Sequence, residues 1–376
     1  MAQTNGIDQG DVMLLVGTRK GAFIVSSDQS REDWEVSGPY CDTNDIFHLV
    51  YDSRNGGTLL AAANDSIFGS QIKISHDLGR SWAESEQNPK ISDGSDLAFS
   101  RSWHIEPGRE SEPGVVYLGA EPASLFRSHD WGNTWEQHGT VTLHPTRDRW
   151  EPGLGGLCMH SMVLDPRSKQ KMWVAISAAG VFMTEDGGET WEPKNRGVRA
   201  DFLPDPFPEF GQCPHKLLSH PAKPDTLYQQ NHCGVFRSDD GGDEWHDITA
   251  GLPSSFGFVL GLHAQDPDTI YVMPEDQVST GEAGGFRRYV PNAKMIIYRS
   301  RNGGDDWEPL TNGLPQKNAF IHSMREGMAT DSMDPCGIYL GTSTGQVFYS
   351  RDDGDNWELL VEYLPPINSL EIGIAK

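Results

Sequence analysis

The sequence predicts an all-β protein, a seven-bladed β-propeller over residues 12–376 preceded by a flexible N-terminal segment, residues 1–11. Three observations predict it. A short pattern, Ser or Thr followed by Asp, Gly and Trp at fixed offsets, recurs along the whole chain. The composition, with 41 Gly, 24 Pro and 11 Trp in 376 residues, suits turns and aromatic packing better than helices. An alternating run near the C-terminal end has no strand partner beside it in sequence, as the closing strand of a ring requires.

The repeat reads Ser75-Asp77-Gly79-Trp82, Ser128-Asp130-Gly132-Trp135, Thr184-Asp186-Gly188-Trp191, Ser238-Asp240-Gly242-Trp245, Ser300-Asn302-Gly304-Trp307 and Ser350-Asp352-Gly354-Trp357. A worn copy, Ser26-Asp28 followed by Trp34, opens the series. Successive Trp residues lie roughly 50–60 positions apart, the length of one four-stranded blade. The residue types explain the pattern: Asp accepts backbone N–H groups in a tight turn, Gly supplies positive φ, and Trp packs on the hairpin. A device repeated in every unit is architecture, not a single active site. The motif resembles the Asp-box, or BNR, repeat of bacterial sialidases, sortilin-type propellers and the photosystem II stability/assembly factor. The resemblance spans nearly the whole chain and implies that each box joins the third and fourth strands of a blade. It implies architecture more than activity, because the fold carries many functions.

Strands fall into place around each box. The first blade begins with Val12–Gly17 and Ala22–Ser26 as its second and third strands and lacks an inner one. The second blade reads Phe47–Asp52, Thr58–Ala63, Gln71–Ser75, the box, and Trp82–Glu84. The C-terminal run Ser369 to Ala375 is expected to supply the missing inner strand, closing the ring and removing exposed sheet edges.

The formal charge is −24 and no basic run interrupts it, so binding to a phosphate backbone would work against the field of the molecule and nucleic acid is not expected. Five Cys spread over the chain do not form a disulfide framework and suit a reducing compartment. Met1 to Asp11 lacks the basic and apolar regions of a signal peptide, and no stretch approaches the ~20 apolar residues of a membrane span. The expected location is cytoplasmic, without membrane contact.

The innermost strands carry the candidate chemistry. Ile46-Phe47-His48, Ser102-Trp103-His104, Cys158-Met159-His160, Cys213-Pro214-His215 and Phe320-Ile321-His322 each lead into the first strand of a blade. Leu260 fills the corresponding place in the sixth blade, and the neighbourhood of Glu371 or Ile372 in the first. Inner strands surround the axial channel, so His48, His104, His160, His215 and His322 are expected to converge at one channel mouth, opposite the boxes. Imidazoles around one point suit a divalent transition metal (Zn, Fe, Cu or Mn), three or four of them serving as ligands. The alternative is that each imidazole bonds to nearby carbonyls or channel water. Glu106 and Glu326 are placed to support His104 and His322. In the pairs Cys158/His160 and Cys213/His215, spacing two puts both members on one side of a strand, with the thiols either ligands or small buried groups.

Loops at the same mouth add Glu121, Glu151 and His232 as candidates for proton transfer, and Arg19, Lys20, Trp150, Arg199 and Asn231 as candidates for substrate binding. Asn64, Asp65, Glu275, Asp276, Thr342, Ser343, Asp201 and Glu209 come from the same connections; for each, a solvated loop charge is the alternative. Sialidases carry an Arg-Ile-Pro motif on the first blade; this chain has Thr18-Arg19-Lys20-Gly21 there, which argues against exo-sialidase activity. Two functions rank above that alternative. One is a metal-dependent enzyme acting on a glycan or other small polar substrate by hydrolysis, elimination or oxidation. The other is a non-catalytic scaffold for a protein partner, similar to the photosystem II assembly factor.

Overall fold

In six of the seven repeats the turn closes through one set of hydrogen bonds. Ser75 Oγ donates to Asp77 Oδ1 (2.8 Å), Gly79 N–H donates back to Ser75 Oγ (2.9 Å), and Asp77 Oδ1 also accepts Ser81 N–H (2.8 Å). The copies at Ser128, Thr184, Ser238, Ser300 and Ser350 repeat the Gly N–H to hydroxyl bond. Each bond contributes about 1 kcal/mol net. Gly is required because φ at this point is about +90 to +100°, for instance +90° at Gly132 and +100° at Gly188. The Trp indole then donates either to its own turn, as Trp135 does to Gly132 O (2.8 Å), or to the preceding blade, as Trp245 does to Lys194 O (2.9 Å).

The computed structural model describes residues 6–41, 44–92, 94–276 and 288–376. These form seven four-stranded antiparallel sheets arranged as propeller blades. The second blade runs Asp45–Asp52, Thr58–Asp65, Gly69–Ser75 and Ala83–Glu84, with the box between its third and fourth strands. The first blade holds Val12–Thr18, Gly21–Ser27 and Glu35–Tyr40, and its inner strand is Ile367–Ile374 from the other end of the chain, paired so that Leu15 faces Glu371. The ring is therefore closed by the C-terminal strand, as expected.

Neighbouring blades pack through apolar faces. Between the fourth and fifth, Trp173, Val181, Leu217, Leu227, Phe236 and Trp245 form one buried cluster. The seam between first and seventh blades also carries a buried ion pair, Arg31 Nη1 to Asp331 Oδ2 (3.0 Å), with Arg31 Nη2 donating to Pro335 O (3.1 Å). Of the N-terminal segment expected to be flexible, residues 1–5 lie outside the described residues. Beyond them Ile7 joins the core and Gly10 N–H donates to Ala375 O (2.8 Å), while Gly6, Asp8 and Gln9 are exposed. Among the described residues no helix is long and apolar enough to cross a membrane.

Candidate functional site: a cavity over the axial channel

Each inner strand of the second to fifth blades breaks register near its start. Pairing shifts between Ile46 and His48, Ser102 and His104, Met159 and Ser161, and Pro214 and Lys216. A bulge adds one residue and re-aims a side chain. The bulged residues are Phe47, Trp103, His160 and His215, whereas His48 and His104 follow the bulge, in register with Ser161 and Lys216. The five-imidazole ring read from the sequence is thus two layers, offset by one residue.

Phe47, Trp103 and His215 of the first layer line a cavity of about 610 Å³ over the channel. Phe47, Trp103 and Phe258 give it aromatic surface, and Arg19, Arg101, Arg288 and Arg325 face into it. Arg325 is buried; its Nη2 donates to Ser177 Oγ (3.0 Å) and its guanidinium lies 5.3 Å from the Phe258 ring and 5.8 Å from Trp103. Arg288 sits over Phe256 and Phe258 at 5.0 and 5.1 Å. Arg101 Nε pairs with Glu121 Oε2 (3.0 Å), which also accepts Trp103 Nε1–H (3.3 Å). Asp45 and Glu326 are the other carboxyls of the lining; burial raises the Asp45 pKa against the opposing bond from Asn368.

The five imidazoles do not share a point. His215, His322 and the loop residue His232 line the cavity. His160 is buried behind the lining with both nitrogens occupied, its Nε2–H donating to Pro214 O (2.9 Å) and its Nδ1 meeting Ser161 Oγ (3.0 Å). His48 and His104 lie below, ring centroids 4.3 Å apart. His48 Nδ1 accepts Ile105 N–H (3.3 Å), so Nε2 carries the proton toward Glu371 Oε1 (3.2 Å). His104 Nε2 reaches Glu106 Oε2 (3.1 Å), and its Nδ1 lies 3.6 Å from Glu326 Oε1. Glu326 therefore supports His104 rather than His322 and is itself bonded to the buried Lys216 ammonium. Burial alone would raise the Glu326 carboxyl, but Lys216, with His104 and His48, brings it down to about 2. His322 precedes its blade's inner strand, Met328–Thr330, by six residues, because that strand is short and a loop leads into it.

Of the other predicted residues, Glu121, His232 and Arg19 line the cavity; Lys20, Glu151 and Arg199 are not part of its lining. Arg199 instead donates to Cys233 O (2.8 Å) and pairs with Asp247 (3.0 Å). Trp150 is corrected to a core residue: it is 5% exposed and its Nε1–H donates to Thr146 Oγ1 (2.9 Å). Asn231 is likewise structural, buried with Nδ2 donating to Gln229 Oε1 (3.0 Å). Sequence reasoning missed Arg101, Arg288, Arg325 and Phe258. Arg101 stands three residues before His104 and Arg325 three after His322, so a search for cations flanking those segments would have found both. Nothing in the sequence marks Arg288.

No protein-family model matches the chain. An oligoxyloglucan-reducing end-specific xyloglucanase of Emericella nidulans is 24% identical over 216 residues, 52% of this chain and 23% of the relative. The chain thus spans about a quarter of that relative's length. An ancestral GH74 enzyme superposes with a TM-score of 0.57 at 14% identity, over 84% of this chain and 38% of the other. YCF48 bound to a D1 peptide superposes with a TM-score of 0.51 at 12% identity, over 96% and 87% of the two chains. At these identities the structural neighbours establish the propeller fold alone.

Proposed function

We propose that the cavity binds an acidic sugar and that the protein hydrolyses the glycosidic link beside it. The observation that carries this reading is the gathering of Arg19, Arg101, Arg288 and Arg325 around one aromatic-floored cavity in a chain of net charge −24. Arg325 and Arg288 are held over aromatic rings, where a carboxylate can take charge-assisted bonds while the sugar ring stacks on Trp103 or Phe258. Asp45, with its raised pKa, is the group to protonate the leaving oxygen. Glu121 takes the proton of the attacking water, and both protons re-equilibrate with solvent after turnover. The likeness to a xyloglucanase supports a glycan substrate; the arginines favour an acidic one over neutral xyloglucan.

The test is calorimetric titration with glucuronate- and galacturonate-containing oligosaccharides beside neutral ones of equal length. Acidic ligands should bind, Arg325→Ala should weaken them tenfold or more, and Glu121→Gln should bind but not cleave. Equal binding of neutral and acidic oligosaccharides by the wild type would overturn the reading.

A second reading, a scaffold for an acidic peptide segment, is favoured by apolar side chains on the loops of the same face: Ile67, Phe68, Leu154 and Tyr363 are 81, 78, 79 and 85% exposed. YCF48, named with its bound peptide, supports it. On this reading Ile67→Ser with Phe68→Ser abolishes peptide capture; on the sugar reading the pair leaves oligosaccharide binding intact.

A further inference from the structure

One wall of the cavity carries three metal-ligating side chains distinct from the proposed acid and base. Cys213 Sγ and ring nitrogens of His215 and His232 lie within 4.8 Å of one another, and all three residues line the cavity. They come from one blade. Cys213 immediately precedes the inner strand Pro214–His220, the bulge swings His215 toward the axis, and His232 sits in the turn after Lys223–Asn231. The hydrogen bond from His232 N–H to Cys213 O (3.0 Å) locks the turn to the strand start.

We propose that Cys213, His215 and His232 form a zinc site, with the fourth tetrahedral position open to the cavity. This inference does not depend on the acidic-sugar reading, since its ligands are not the sugar-binding arginines or the proposed acid and base and its test needs no sugar. The chemistry of the donors is consistent with it. His215 Nδ1 lies 2.6 Å from Gly257 O, and a carbonyl only accepts, so Nδ1 holds the proton and Nε2 offers its lone pair. An imidazole pinned by its other N–H to a carbonyl is the usual arrangement of a zinc ligand. Stacking on Phe258 (4.5 Å, 26°) fixes the ring plane.

Tetrahedral zinc with bonds of about 2.0–2.1 Å to nitrogen and 2.3 Å to sulfur needs donors roughly 3.3–3.7 Å apart, so closure takes side-chain shifts of about 1 Å. The two arginines nearby disfavour an added dication. A thiolate restores one negative charge, so Cys213 decides whether the ion is held. Binding releases the thiol proton to solvent as the zinc–sulfur bond forms.

The second three-donor group, His48, His104 and Glu326, is a poorer candidate. Both His48 nitrogens are engaged, and Glu326 already neutralises Lys216.

The experiment uses reduced, untagged protein titrated with Zn²⁺, and with Co²⁺ as the coloured probe. Wild type should take up one equivalent, release about one proton, and with Co²⁺ show a thiolate charge-transfer band. Cys213→Ser should lose the band and at least a hundredfold in affinity, His232→Ala tenfold or more, while His104→Gln keeps both. Alkylation of Cys213 in intact wild type, mapped by mass spectrometry, should slow at least tenfold with Zn²⁺, a readout that needs no variant to fold. No stoichiometric uptake by the wild type, uptake unaltered by both Cys213→Ser and His232→Ala, or alkylation indifferent to zinc would each overturn the site.

Discussion

Glu275 shows how one side chain ties the cavity wall to the stability of the whole. It is buried, one oxygen accepts Ser323 N–H (3.1 Å), and the other has no partner among the described residues. Burial pushes its pKa from the ordinary 4.5 up to about 8. Between those values the folded chain retains a proton that the unfolded chain has lost, so stability falls as pH rises across that window and levels off above it. At about 1.4 kcal/mol for each pH unit crossed, the decline amounts to a few kcal/mol. Glu275→Gln should flatten the decline and unfold at a higher temperature than wild type near the top of that window; thermal melts on either side of it check this, and parallel curves would contradict the assignment. At this scale the sequence was partly legible. Glu121, His232 and Arg19 were placed at the mouth by loop position alone. Trp150 and Asn231 were misread because burial is a tertiary property: the same loop contains both a core tryptophan and an exposed glutamate.

At the scale of the element, the bulge at the head of the inner strands decides what faces the ligand. A one-residue insertion is invisible in a pattern of His two residues after Ile, Ser or Cys, yet it puts Phe47 and Trp103, not His48 and His104, beside His160 and His215. Periodicity predicted the strands to within about two residues; it could not predict the layer. The box turns were fully legible because their bonds are local. Gly132 should tolerate no side chain: φ is +90° and a Cβ would approach Leu60 Cδ2 to 2.6 Å. Gly132→Ala is expected to cost about 1–3 kcal/mol, read from denaturant midpoints, with no change in metal uptake.

For the whole molecule, the ring closes at the first blade, and Arg31 is where its seam with the seventh can be probed without cutting the chain. Removing the guanidinium leaves Asp331 buried with only Tyr339 O–H and backbone N–H groups as partners. Arg31→Ala should destabilise the ring by about 3 kcal/mol. Hydrogen exchange should rise first in the first and seventh blades; uniform acceleration around the ring would argue against a seam.

The pairing of Val12–Thr18 with Ile367–Ile374 also sets a schedule for biosynthesis. On the ribosome, the strand that needs a neighbour is made first and the neighbour some 350 residues later, on the order of tens of seconds at ordinary translation speed. Throughout that wait the nascent first blade shows a bare, apolar edge, a natural target for a cotranslational chaperone and a place where two nascent copies can trade strands.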